Sequence, residues 1–129
     1  MVHEKLLKIN FEEILDCIDT LEKKIDSTKY SGIYGVPRGG LVPAVMLAHR
    51  LNIPIVESKD ITNNTLFVED IVDSGAKTKE LKQNYPNIKI ATLYKRYTSK
   101  EHPTYIGKEI NHDDYLVFPW EKEYVKKLN

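Results

Sequence analysis

An α/β fold with a mainly parallel central sheet flanked by helices is predicted by three observations. Short apolar, β-favouring runs alternate along the chain with stretches of helical spacing, the order that parallel strand and helix units produce. Two of those runs lead into glycine-containing polar turns that open helices. The 129 residues suffice for one core without disulfide or metal staples, so a single domain over residues 1–129 is expected.

The first element is an amphipathic helix from Phe11. Phe11, Ile14, Leu15, Ile18 and Leu21 recur at helical spacing, with Glu12, Glu13, Asp16 and Asp19 between them. Residues 30–36 read as a strand. Residues 41–51 read as an apolar helix, because Pro43 is tolerable only in a first turn. A short strand follows at 53–56, then a polar, turn-like stretch at 58–64 ending in Asn63-Asn64. Leu66, Phe67 and Val68 begin the next strand, and Lys79-Glu80-Leu81-Lys82 has helical composition. That helix should end near Tyr85-Pro86, where proline halts propagation. Residues 88–94 form a further strand, with short strands at 105–106 and 115–118. Residues 122–127 read as a charged, solvated tail.

Nineteen basic and nineteen acidic side chains give zero formal net charge. That argues against a broad nucleic-acid surface, which carries a basic excess. It leaves a small polyanionic ligand open, since local N–H groups, a helix terminus and a metal can neutralise one. No apolar run reaches the length of a membrane span, and the start lacks the apolar segment of a secretory signal. Cytoplasmic residence is therefore expected, with Cys17 a structural thiol inside the first helix.

Chemistry concentrates in residues 65–78, Thr-Leu-Phe-Val-Glu-Asp-Ile-Val-Asp-Ser-Gly-Ala-Lys-Thr. An apolar strand runs into Glu69, Asp70 and Asp73, then into a hydroxyl-bearing turn with Gly75. N–H groups at such a helix start lack internal partners and carry partial positive charge, which suits a phosphate. Ser74 and Thr78 offer hydroxyl donors, and Gly75 permits close approach or positive φ. Glu69 and Asp70 are placed to grip vicinal hydroxyls, directly or beside a hydrated Mg²⁺. The plainer alternative is an acidic helix start capped by Asp73 or Ser74.

Pro37-Arg38-Gly39-Gly40 also follows an apolar strand and precedes an apolar helix, which puts it on the same sheet edge. Gly39 and Gly40 can point successive N–H groups inward, and Arg38 offers a forked donor for phosphate oxygens. Ligands of such sheets bind at the carboxyl ends of the strands.

The segment Glu69 to Gly75 resembles, without a gap, the phosphoribosyl-pyrophosphate (PRPP) signature of type I phosphoribosyltransferases: two acidic residues, two apolar residues, then D-[ST]-G-x-T. The position of the last threonine holds Lys77, and Thr78 comes one residue later. Either Lys77 supplies an ammonium to the phosphate, or the turn is one residue longer. The resemblance implies that residues 74–78, with Ala76 in their middle, anchor the 5′-phosphate. It makes Pro37 to Gly40 the pyrophosphate loop, with a cis peptide bond between Pro37 and Arg38.

His112 to Glu121 is similar to the purine end of the small bacterial xanthine-guanine and hypoxanthine enzymes, where an aromatic residue precedes P-W-[DE]. By that match Tyr115 stacks on the purine and backbone groups at Leu116 read the ring edge, while Trp120 reads better as a core or rim aromatic. Lys95 or Arg96, at the end of its strand, occupies the place of a lysine that donates to the purine's 6-oxo group. Between Gly40 and Glu69 the chain is shorter than those enzymes, and the missing piece corresponds to their mobile hood.

The implied reaction transfers the 5-phosphoribosyl group from PRPP to a 6-oxopurine, giving a nucleoside monophosphate and pyrophosphate. Mg²⁺ would be held by Glu69 and Asp70, partly through water and PRPP, and Asp73 would take or share the purine's proton. A homodimer or higher oligomer is expected, with no nucleic acid or membrane as partner. Two other readings are a non-catalytic PRPP or nucleotide sensor and a transferase for a non-purine acceptor.

Overall fold

The computed structural model describes residues 5–121; the charged tail at 122–127 lies outside them. Its elements are β1 (Leu6–Lys8), α1 (Phe11–Lys24), β2 (Gly32–Gly35), α2 (Leu41–Leu51), β3 (Thr65–Val72), α3 (Ala76–Asn84), β4 (Lys89–Arg96), β5 (Tyr105–Ile110) and β6 (Tyr115–Val117). Two single 3-10 turns, at Ser27–Lys29 and Ser58–Asp60, fill connections.

The central sheet has the order β2-β3-β4-β5 and every pair in it is parallel. Such a sheet is covered on both faces, so its inner strands are near-continuous apolar runs rather than alternating ones. β3 is fully buried from Thr65 to Val68 and β4 from Ile90 to Tyr94. On one face, Ile14, Ile18 and Leu21 of α1 and Leu47 of α2 pack with Leu66, Val68, Ala91 and Leu93. On the other, Phe67 joins Val36, Leu81 and Ile90 beneath α3, with the rings of Tyr34 and Tyr85 at 5.3 and 5.2 Å. Each buried Val, Ile, Leu or Phe side chain among them contributes roughly 1.5–3 kcal/mol.

α1 starts sharply because Asn10 and Glu13 form a reciprocal capping box: Asn10 Oδ1 accepts from the Glu13 N–H at 2.9 Å, and Glu13 Oε1 accepts from the Asn10 N–H at 3.3 Å. α2 carries Pro43 in its first turn and closes on Asn52 in the left-handed conformation. Cys17 is buried and unpaired on the core face of α1, and burial pushes its thiol pKa up.

Three departures from expectation have physical reasons. Residues 53–56 contribute only an isolated parallel bridge, Ile33 to Ile55. Pro54 lacks an N–H, so this edge cannot extend into a ladder. β5 runs to Ile110 instead of ending at 106, because β4 offers a full partner, from Ala91 opposite Tyr105 to Arg96 opposite Ile110. β1 is an unforeseen strand: its three residues are all exposed, and it exists through pairing with β6, more than a hundred residues away.

Candidate functional site

A cleft of about 880 Å³ opens at the carboxyl edge of the sheet. Four chain segments meet there: the turn from β2 into α2, the end of β3 through Asp73, the end of β4 at Arg96, and the segment through β6 to Glu121. Among the residues expected to act, Arg38, Gly39, Asp70, Asp73, Arg96, Tyr115 and Leu116 line it. Leu41, Val42, Ile71, Phe118, Trp120 and Glu121 complete the wall.

The Pro37–Arg38 peptide bond is cis, as the resemblance implied. Gly40 starts α2 without a side-chain cap, and its N–H donates to the Val36 carbonyl at 2.9 Å, so that donor is committed to the turn. A Cβ at Gly40 would drive into the Val68 carbonyl, and one at Gly39 into the Asp70 carboxylate. The two glycines thus let the loop lie directly on β3.

Glu69 and Asp70 point in opposite directions, as neighbours on a strand must. Asp70 lines the cleft, and its Oδ1 accepts from the Ile71 N–H at 2.7 Å. Burial raises its pKa. Glu69 is 5% exposed and turns toward α3, where Thr78 Oγ1 donates to its Oε2 at 2.9 Å. Burial pushes the Glu69 carboxyl up to about 7, and the Asp70 charge adds to the rise; the Thr78 hydrogen bond and Lys77 oppose it.

Residues 74–78 continue from Asp73 into α3 and do not line the cleft. Neither Asp73 nor Ser74 is the helix cap. Gly75 takes that place at φ 89° with no side-chain capping bond; Ser74 Oγ accepts from the Ala76 N–H at 3.3 Å. Glycine is required there twice over, by its left-handed backbone and by space: a Cβ would meet Ser99 Oγ and Glu101 Cγ at 2.8 Å. Ala76 and Lys77 are exposed, and Thr78 is buried.

At the base end, Tyr115 Oη lies 3.4 Å from Glu121 Oε2. Leu116 is held in β6 opposite Leu7. Trp120 stacks on Phe118 with centroids 5.1 Å apart and planes at 5°, so it is a rim aromatic that also faces the cleft. Lys95 is buried, and its Nζ donates to the Arg96 carbonyl at 3.0 Å. Arg96 closes the wall with its guanidinium engaged at three points: Asp73 Oδ1 at 2.6 Å and the His112 and Asp114 carbonyls at 2.7 Å each. No residue from 52–64 reaches the lining.

Sequence reasoning passed over Glu121, although it lay inside the P-W-E motif. Its carboxyl pKa is raised by burial first and then by the charge of Asp70. The carbonyls of His112 and Asp114 carried no sequence signal, since any residue supplies a carbonyl. Among the described residues no cluster of three His, Cys, Asp or Glu side chains converges on one point. Mg²⁺ asks less than that: it is commonly held by one or two carboxylates and substrate oxygens. Asp70, oxygen-bearing and facing the cleft, fits that requirement. No helix among the described residues is long and apolar enough to cross a membrane.

No family model matches the chain. The xanthine-guanine phosphoribosyltransferase of Vibrio vulnificus (strain YJ016) is 30% identical over 125 residues, 81% of each chain. The crystal structure of a purine phosphoribosyltransferase from Pyrococcus horikoshii superimposes with a TM-score of 0.75 at 25% identity, covering 90% of this chain and 94% of that one. A hypothetical protein from Neisseria gonorrhoeae with bound ppGpp shares the fold at TM-score 0.75 and 18% identity, covering 98% and 97%. With the acidic signature at the end of β3, the cis peptide in the facing loop and this extent of similarity, the chain belongs to the type I phosphoribosyltransferase family.

Proposed function

We propose that the protein transfers the 5-phosphoribosyl group of PRPP to a 6-oxopurine, releasing pyrophosphate and forming a nucleoside monophosphate. The observation that carries this reading is the convergence of the Arg38–Gly39 loop, Asp70, Asp73 and the Tyr115–Leu116 strand on one cleft. A doubly phosphorylated sugar and a flat heterocycle need those groups side by side.

Breaking the bond between the anomeric carbon and pyrophosphate leaves an oxocarbenium-like centre, so catalysis is chiefly positioning and charge stabilisation. Arg38 and the Gly39 N–H bind the departing pyrophosphate. Asp70 holds the ribose hydroxyls and, with them, Mg²⁺; when bound, the ion supplies positive charge against the pyrophosphate oxygens. Glu69, accepting from Thr78, ties the end of β3 to the first turn of α3 behind the cleft. The uncapped start of α3, with the Ser74 hydroxyl and the Lys77 ammonium, anchors the 5′-phosphate. With the Thr78 hydroxyl engaged by Glu69, Lys77 is the better candidate to close that loop. Asp73 accepts the proton of the purine's five-membered ring, and Tyr115 offers a face for the base to stack on.

The test is pyrophosphate release with PRPP, Mg²⁺ and xanthine, guanine or hypoxanthine in turn. Release that depends on the base is expected, and its absence with all three would end the reading. A second reading, a regulatory nucleotide-binding protein, is favoured by the ppGpp bound to the Neisseria gonorrhoeae relative in fold. It predicts saturable binding of a guanosine polyphosphate without any release of pyrophosphate from PRPP.

A further inference from the structure

Arg96 is engaged in a way that the family resemblance did not imply. It ends β4, and its side chain is only 5% exposed. Its Nε donates to Asp73 Oδ1 at 2.6 Å, one terminal nitrogen donates to the His112 carbonyl at 2.7 Å, and the other to the Asp114 carbonyl at 2.7 Å. These acceptors belong to two segments far apart in sequence. Asp73 directly follows β3, whereas His112 and Asp114 form the turn into β6. The turn has a second tie of its own, the Asp114 N–H donating to His112 Nδ1 at 3.3 Å.

A guanidinium is a rigid planar fork that stays charged at every working pH, so it can hold three acceptors in fixed relation. A lysine at this point would present one nitrogen and could not span a carboxylate and two carbonyls in the same geometry. Tyr115 follows Asp114 directly, so whatever fixes the turn fixes the start of β6. Second-layer contacts of this kind hold acting groups in productive geometry.

We infer that Arg96 is a positioning residue that joins the Asp73 carboxylate to the 112–114 turn, so that the proton acceptor and the purine-facing strand β6 form one unit. This rests on the proposed roles of Asp73 and Tyr115. It replaces direct donation to the purine's 6-oxo group as the main duty of this side chain.

The experiment has two arms on the full chain: hydrogen exchange at the Asp114 and Tyr115 amides, and steady-state kinetics with PRPP, Mg²⁺ and the best purine. Arg96→Gln and Arg96→Lys should each speed exchange at those two amides by about tenfold or more, with the amides of β3 unchanged. Arg96→Gln should lower kcat about a hundredfold in the otherwise native protein, and less than about threefold in an Asp73→Asn background, because groups acting as a unit are not additive. Full additivity of the two substitutions, or unaltered exchange in both variants, overturns the inference. If Arg96→Gln fails to fold, Arg96→Lys decides by the same two readings. A native protein that releases no pyrophosphate with any purine sinks the transferase reading alone; the exchange arm then still decides whether the clamp exists.

Discussion

Glu69→Gln probes a deeply buried carboxylate whose protonation the fold controls. Glu69 lies behind the cleft with Thr78 donating to it, and burial raises its pKa from 4.5 to about 7. A carboxyl group that is raised on folding favours the protonated folded form. Its contribution to stability is therefore fully present below pH 4.5 and is lost as the pH climbs through 7. At about 1.4 kcal/mol per tenfold change in proton affinity, a rise from 4.5 to about 7 is worth roughly 3 kcal/mol. Glutamine has the shape of the protonated acid and still accepts the Thr78 hydroxyl. Urea unfolding of native and variant protein, in chelator at a series of pH values from 4.5 to 8, should show equal stability at the acid end. At pH 8 the variant should be more stable by up to about 3 kcal/mol. Glu121 titrates in both proteins, so the difference between the two curves reports position 69 together with its coupling to Asp70. A difference that stays constant with pH would refute the reasoning, because the carboxylate would then not be desolvated by the fold.

Gly39→Ala forces a Cβ against the Asp70 carboxylate, a side-chain end that can swing away; the protein should keep its Tm within a few degrees while its PRPP affinity, measured by calorimetry with Mg²⁺, falls about tenfold or more. Gly40→Ala meets the fixed Val68 carbonyl instead and should lower Tm markedly, and equal melting of the two variants would contradict the geometry. Asp73→Asn should reduce kcat by about a hundredfold or more, the usual scale of a general base, with the dissociation constant for PRPP little changed; equal loss of both would remove Asp73 from the proton transfer. Tyr115→Ala should raise the KM for the purine selectively, by about tenfold for one lost base–aromatic stack, and an unchanged purine KM would place the base elsewhere.

How far the chain could be read in advance depended on whether the signal was local. The apolar spacing from Phe11 was written in neighbouring residues, and so was the span of α2, matched at both ends by Leu41–Leu51. The residue types at 69–75 and 37–40 belonged to the same class, which is why two loops on one sheet edge could be inferred. β1 escaped, because three exposed residues become a strand only when β6 arrives beside them. Residues 53–56 failed the other way: a β-favouring composition carries no record of which edge N–H groups will find partners, and Pro54 has none to offer.

The sequence alone determined the α/β order, the apolar strands that a doubly covered parallel sheet demands, and the acidic, glycine-bearing turns, since each follows from the spacing and type of adjacent residues. Only the tertiary structure decided which way those residues act. Strand alternation and the packing of α3 turned Glu69 inward to Thr78 and left Asp70 facing the cleft. The meeting of β4 with the turn into β6 engaged Arg96 with Asp73 and two backbone carbonyls. A carbonyl is the same in every residue, so a contact made to one leaves no mark in the sequence.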